Sequence, residues 1–197
     1  MSVGIQVASA ERWDDVVAVM GEKGAYGGCW CMFWRHDNQE IHSQTASDNR
    51  AALQCLVTSG RPIGLLLYRD DRPVGWCQVA PRPDFWRLFH TRGLDLENPD
   101  DASVWSITCV YVARGARGTG VAAQLVQAAV EHAARQGASV IEAYPVTDPS
   151  TGRKTQLSSG TVRLFSSAGF TTVSPAAGRR VLMRRLPPEV CEQDPDR

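Results

Sequence analysis

The run from Val104 to Gly137 constrains this chain more than any other part of it. VWSITCVYV (104–112) is rich in β-branched residues, carries no breaker and reads as a buried central strand. RGARGTG (114–120) follows, and then VAAQLVQAAVEHAARQG (121–137). There Val121, Leu125, Val126, Ala129, Val130 and Ala133 form one apolar stripe at helical spacing, and Gly137 supplies the stop. SVIEAYPV (139–146) reads as a strand returning parallel to the first. A strand, a glycine loop, an amphipathic helix and a parallel strand make a crossover unit, which requires a sheet with the helix packed on its face. The chain is 197 residues long, enough for one such core without metals or disulfides. One domain over residues 1–187 is expected, with the acidic, proline-bearing 188–197 as a frayed tail.

Other elements follow from the same periodicities. Residues 3–9 read as an opening strand, and Ser9 as the cap of a helix whose inner face is Trp13, Val16, Val17 and Met20. A second helix is expected over 45–59. IGLLLYR and PVGWCQVA, separated by Asp70 and Asp71, read as an antiparallel hairpin. Residues 24–42 and 81–102 break both periodicities and concentrate glycine, proline and aromatic residues, so each is expected to be a long structured connection. A polar loop over 147–157, a short helix over 158–168 and two last strands, FTTV and RRVLMRRL, complete the reading.

The chemistry is most legible in the glycine loop. Glycine lets backbone approach a ligand closely, and the first turn of the helix that follows offers unpaired N–H groups at the positive end of its dipole. Together these suit a diphosphate. The spacing matches neither GxxxxGK[ST] nor GxGxxG, which excludes the common nucleotide-binding loops.

RGTGVA places Arg117, Gly120 and Ala122 in the pattern Q/R-x-x-G-x-G/A directly after the strand CVYV. In this it resembles the acetyl-CoA signature of the GNAT acetyltransferase superfamily. EAYPV is similar to that family's fifth strand, and TVRLFSSAGF to its fourth helix leading into a Gly-Phe strand start; the likeness runs from about residue 62 to 186. The resemblance implies an α/β fold with a mixed, mostly antiparallel twisted sheet of about six or seven strands and about four flanking helices. It also implies acetyl-CoA as co-substrate and transfer of the acetyl group to an amine. The coenzyme contacts it assigns are Val110, Tyr111 and Val112 for the pantetheine arm, Arg117, Gly118, Thr119, Gly120, Val121 and Ala122 for the diphosphate, and Phe165 beside the thiol.

An ammonium cannot attack a thioester until it loses a proton, so a base or a water chain is needed. Glu142 on the EAYPV strand is the first candidate, with His90 and Tyr111 behind it. The Val112 N–H is expected to stabilise the oxyanion. The family's usual tyrosine, which protonates the departing thiolate, is replaced by Phe165, leaving Ser166, Ser167 or water. The expected acceptor is a small-molecule amine; a protein lysine or N-terminus, or a non-catalytic acyl-CoA-binding module, are the alternatives.

CWCMFWRH (29–36) could wall an acceptor site or anchor the core. Cys29, Cys31, His36 and His42 are conceivable zinc ligands, but their spacing fits no standard finger, and no metal is expected. Cys55, Cys77 and Cys109 are expected in the core, His132 in solvent, and Arg179, Arg180, Arg184 and Arg185 on the surface of the last strands. Formal charge is zero, which gives no reason to expect nucleic acid or an anionic membrane as partner. With no secretory start and no apolar run near the roughly 20 residues of a membrane span, a cytoplasmic protein with free thiols is expected. A homodimer paired through edge strands is left open.

Overall fold

The computed structural model describes residues 2–94, 96–147, 158–173 and 179–188, apart from the side chain of Ile41. The expected tail from residue 189 onward and most of the polar loop 147–157 lie outside the described residues.

Seven strands form one sheet among the described residues: β1 (Val3–Val7), β2 (Gly64–Arg69), β3 (Arg72–Pro81), β4 (Val104–Val112), β5 (Val140–Ala143), β6 (Thr171–Thr172) and β7 (Met183–Arg185). Their order is β1-β2-β3-β4-β5-β7-β6, and every neighbouring pair is antiparallel except β4 with β5. The helices are α1 (Trp13–Met20), α2 (Glu40–Ser43), α3 (Ala46–Thr58), α4 (Trp86–Phe89), α5 (Val121–Arg135) and α6 (Val162–Ser167). This is the mixed, mostly antiparallel α/β sheet that the resemblance implied. Among the described residues no helix is long and apolar enough to cross a membrane.

Both faces of the sheet are covered, which explains why β2 reads LLL instead of alternating. Leu65 and Leu67 face α5, while Leu66 faces α1 and α3. All six residues of the α5 stripe lie in the first of these cores. α3 begins with a capping box: Asp48 N–H donates to the Thr45 hydroxyl, and Thr45 N–H to the Asp48 carboxylate. Ser9, by contrast, makes no cap, because a turn of 3-10 helix (Ala10–Arg12) precedes α1.

Two expectations need correction. His132 is only 4% exposed and meets the Trp105 ring edge-on at 5.8 Å. It lies seven residues after Leu125, on the same helical face, so the stripe is broader than its aliphatic members. Burial, followed by the nearby Arg135, lowers its pKa. Cys55 is exposed, since α3 is buried through Leu53 and Val57 and position 55 lies about 200° around the helix from each.

The feature that positions the site is an irregularity in β4. Gln78 of β3 faces Cys109 but Val79 faces Ile107, so Thr108 is an extra residue, a β-bulge. The bulge resets the alternation of side chains. Trp105 and Ile107 before it, and Val110 and Val112 after it, all face α5, whereas Cys109 and Tyr111 face α1 and α3. β5 pairs with β4 only from Val104 to Ile107. Beyond that point the two strands part.

Candidate active site

The donor side of the cleft is built from the end of β4 and the start of α5. Ala113 N–H bonds the Val74 carbonyl across to β3. By strand alternation the amide groups of Val110 and Val112 therefore point the other way, onto the edge that β5 has left open. The loop then turns through Gly118 (φ 75°) and Gly120 (φ 83°), and Gly120 is the N-cap of α5. A Cβ on either glycine would meet nothing within 4 Å. The protein's own packing thus leaves space open at both. Helical bonding in α5 begins with Gln124 N–H to the Gly120 carbonyl, so the N–H groups of Val121, Ala122 and Ala123 precede the first helical bond and are available to an anion.

Two further residues shape this corner. Arg69 of β2 donates to the hydroxyl and the carbonyl of Thr119, both at 2.7 Å, and the Thr119 hydroxyl donates to the Ala116 carbonyl. Thr119 therefore holds the loop in shape with its side chain. Arg117 turns back over the cleft: its Nε donates to the Val112 carbonyl at 3.0 Å, and its guanidinium lies 5.8 Å from the Tyr26 ring and 5.9 Å from the Tyr111 ring. Neither Arg69 nor Tyr26 stands out in the sequence, because Arg69 reaches the site only through the sheet and Tyr26 only through the coiling of the first connection.

On the acceptor side lies a cavity of about 400 Å³, lined by Tyr26, Cys29, Phe33 and Trp34 from the first connection, Thr108 and Cys109 of the bulge, and Arg180 among others. Residues 24–36 form its wall by coiling through the left-handed region. Ala25, Trp30 and Cys31 have positive φ, and at Gly24 (φ 68°) the Trp30 indole lies only 2.1 Å from where a Cβ would stand. Only glycine fits there. Trp30 is core, stacked on Trp13, and Phe33 and Trp34 line the cavity, so CWCMFWRH is part anchor and part wall.

The second connection, 81–102, is clamped onto the first by arginines. Arg35 pairs with Asp84 at 3.2 Å, and Arg87 donates to the carbonyls of Phe33 and Asp37. Inside, Arg82 is 1% exposed and donates to the carbonyls of Glu97 and Asn98.

Glu142 has no exposed surface. Its carboxylate accepts from Arg82 at 3.3 Å, from Arg184 Nε at 2.8 Å and from the Tyr144 hydroxyl at 2.7 Å. Burial, then the adjacent Glu142, raises the Tyr144 pKa well above the ordinary phenol range. Arg184, partly exposed, is thus a partner of the buried Glu142 more than a surface decoration. His90 is exposed and stacks on Trp86 at 3.6 Å, away from the cavity. Phe165 is fully buried against Phe170, while Ser166 is exposed on α6 and does not line the cavity.

The cysteines do not converge with the histidines. Cys31 Sγ lies 3.2 Å from Cys109 Sγ and accepts from Trp76 Nε1, while His36 faces Asn49 and Glu40. Among the described residues no group of three His, Cys, Asp or Glu side chains is placed to hold a metal. The hydrogen bond with Cys109, followed by burial, raises the Cys31 thiol well above its ordinary range, and burial pushes Cys29 up to about 11. A thiol is nucleophilic only as thiolate. Iodoacetamide at neutral pH should therefore label Cys55 well before Cys29, Cys31, Cys77 or Cys109; peptide mass spectrometry over a time course checks the order.

An open strand edge leading to a glycine corner, beside a separate walled cavity, defines an enzyme that brings an extended diphosphate-bearing donor against a second molecule. The sequence of residues 28–153 matches the model of the acetyltransferase (GNAT) family, and the chain belongs to that family. No curated protein matches it significantly. Among solved structures, YncA of Salmonella typhimurium, determined with acetyl-CoA, is similar at 16% identity and a TM-score of 0.56, covering 99% of each chain. Diaminobutyrate acetyltransferase EctA of Paenibacillus lautus, with L-2,4-diaminobutyric acid and coenzyme A, is 12% identical with a TM-score of 0.53, covering 94% of this chain and 95% of its own. A ribosomal-protein-alanine N-acetyltransferase of Brucella melitensis is 18% identical with a TM-score of 0.54, covering 93% and 99%. At such identities these likenesses speak for the fold alone.

Proposed function

We propose that the chain, acting as one domain over residues 1–187, transfers the acetyl group of acetyl-CoA to the amine of a small molecule by direct attack on the thioester. The observation that carries this reading is the size of the cavity at the bulge of β4. Aromatic residues of the first connection, which the arginine clamps hold to the second, line it together with the bulge of β4, and its volume of about 400 Å³ suits a small ligand. A protein lysine or N-terminus would call for an open groove there. That YncA was solved with acetyl-CoA and EctA with a diamino acid is in keeping with this reading.

In this reading the pantetheine amides pair with the edge formed by Val110 and Val112, and the diphosphate sits on the N–H groups of Gly118 to Ala122. Arg117 yields the Val112 carbonyl to the coenzyme and turns to the phosphates. The amine reaches the thioester from the cavity at Thr108 and Cys109. With the thioester at the bulge, the open-edge amide nearest its carbonyl oxygen is the Val110 N–H, while Val112, expected to stabilise the oxyanion, lies two residues further toward the diphosphate corner. Glu142 acts as an anchor of the fold instead of a base, because its oxygens are committed to Arg82, Arg184 and Tyr144. Proton removal then falls to water in the cavity, and the thiolate leaves without a tyrosine, which an unperturbed thiol pKa of about 8.5 permits.

Calorimetric titration with acetyl-CoA, followed by thioester consumption across an amine panel, tests the proposal. Arg117→Ala should weaken acetyl-CoA binding about tenfold, the loss of one charged hydrogen bond. Unchanged affinity in that variant would place the diphosphate elsewhere. Binding without turnover on any amine would leave a coenzyme-binding module in place of an enzyme.

A further inference from the structure

Resting on the reading above, we propose that the acceptor carries a carboxylate as well as its amine, and that Arg180 receives that carboxylate. Arg180 lies just before β7 and is held by backbone pairing to the segment after β5, where it forms a bridge with Val146. Its guanidinium lies 4.8 Å over the Trp34 ring, its Nη1 donates to the Tyr144 carbonyl at 2.8 Å, and it lines the cavity. Backbone, ring and carbonyl together fix the plane of the group.

What distinguishes Arg180 is the partner it lacks. Arg35, Arg82 and Arg184, which run into the same side of the sheet, each meet a protein carboxylate: Asp84 for the first and Glu142 for the other two. Arg87 is satisfied by two carbonyls. Among the described residues Arg180 has no carboxylate paired with it, and its hydrogen bond there is the one from Nη1 to the Tyr144 carbonyl. Burial lowers its pKa to about 10, so it remains a cation at neutral pH. A half-buried guanidinium that meets no carboxylate among the described residues is costly unless something of opposite charge arrives. A carboxylate fits best, because the planar fork of the guanidinium matches two carboxylate oxygens.

The rest of the cavity agrees with an amino-acid-like acceptor. Phe33 and Trp34 offer apolar walls, while Thr108 and Cys109 bring the other end of the cavity to the bulge of β4, where the thioester is attacked. His36 and Asn49 are bonded to one another at 2.6 Å and add a polar lining that carries no net negative charge. Among the described residues no Asp or Glu lines the cavity.

The test uses the full chain with acetyl-CoA and matched sets of acceptors: amino and diamino acids, their carboxamides, their decarboxylated amines and aminoalkyl phosphates. Free acids should show kcat/KM about ten- to a hundredfold above the carboxamides, the worth of one charged bidentate contact. Arg180→Gln should remove that preference by lowering turnover of the acids far more than that of the carboxamides, and Arg180→Lys should restore part of it. Equal turnover of acids and carboxamides, or a preference for the uncharged amines, overturns the inference while leaving the acetyltransferase reading intact. A preference for the phosphates reassigns Arg180 to that anion and equally overturns it. A second measurement stands apart from turnover: N-acetyl amino acids, added to the protein saturated with coenzyme A, should change tryptophan emission in wild type and not in Arg180→Gln. If no amine is acetylated, this measurement decides alone, and an unchanged emission rejects the carboxylate site.

Discussion

Replacing Arg82 by alanine should destabilise the fold by about 3–5 kcal/mol, because it leaves the Glu142 carboxylate buried with one cation removed. Against a total stability of about 5–15 kcal/mol for a domain of this kind, that should lower the urea midpoint by about a fifth or more. The loss has a second component. Arg82 donates to the carbonyls of Glu97 and Asn98, so the end of the connection 81–102 loses its internal support as well. Glu142→Gln should cost less, since an amide oxygen still accepts from Arg184 or Tyr144. Its kcat/KM should follow the wild-type pH profile. Loss of one limb of that profile in Glu142→Gln, with stability intact, would make Glu142 the base and reverse the anchoring role argued above.

Gly120→Ala should weaken acetyl-CoA binding about a hundredfold while the protein still folds. At φ 83° an L-residue is strained, which costs on the order of 1 kcal/mol and is tolerable. The added methyl meets no protein atom within 4 Å, so packing does not object. It would instead stand where the diphosphate approaches the first turn of α5, displacing two or more charge-assisted bonds worth about 1.5–3 kcal/mol each. Calorimetry set beside thermal melting separates the two effects. A variant that binds acetyl-CoA normally would mean the open space at this corner is not the phosphate site.

Much of this was legible in the sequence because it is local. The strand 104–112, the turn through Gly118 and Gly120 and the α5 stripe are each written in adjacent residues, and the acetyl-CoA signature lies within them. The bulge at Thr108 is not local: it exists only in the pairing of β4 with β3, and no periodicity within VWSITCVYV announces it. The setting of Glu142 was not legible for a related reason. Its partner Arg82 stands 60 residues away, in a segment that looked like an irregular loop. Arg180 could have been placed. In RRVLMRRL, Val181 and Met183 pack on the α5 side, so Arg180, Leu182 and Arg184 must share the opposite face, and the structure puts Leu182 beside Trp34 and Tyr144. Residues 24–36 offered no such handle, since a chain that turns repeatedly through positive φ has no repeat to read.

The clamps between the two connections have one more consequence. Every cation that closes them is a guanidinium, and the whole chain has only Lys23 and Lys154 as lysines. A thioester donor acylates free amines over time, and an acylated lysine loses its charge. Guanidinium groups stay protonated and do not compete as nucleophiles. The walls of this cavity can therefore be bathed in reactive donor for the life of the molecule without being chemically eroded by it.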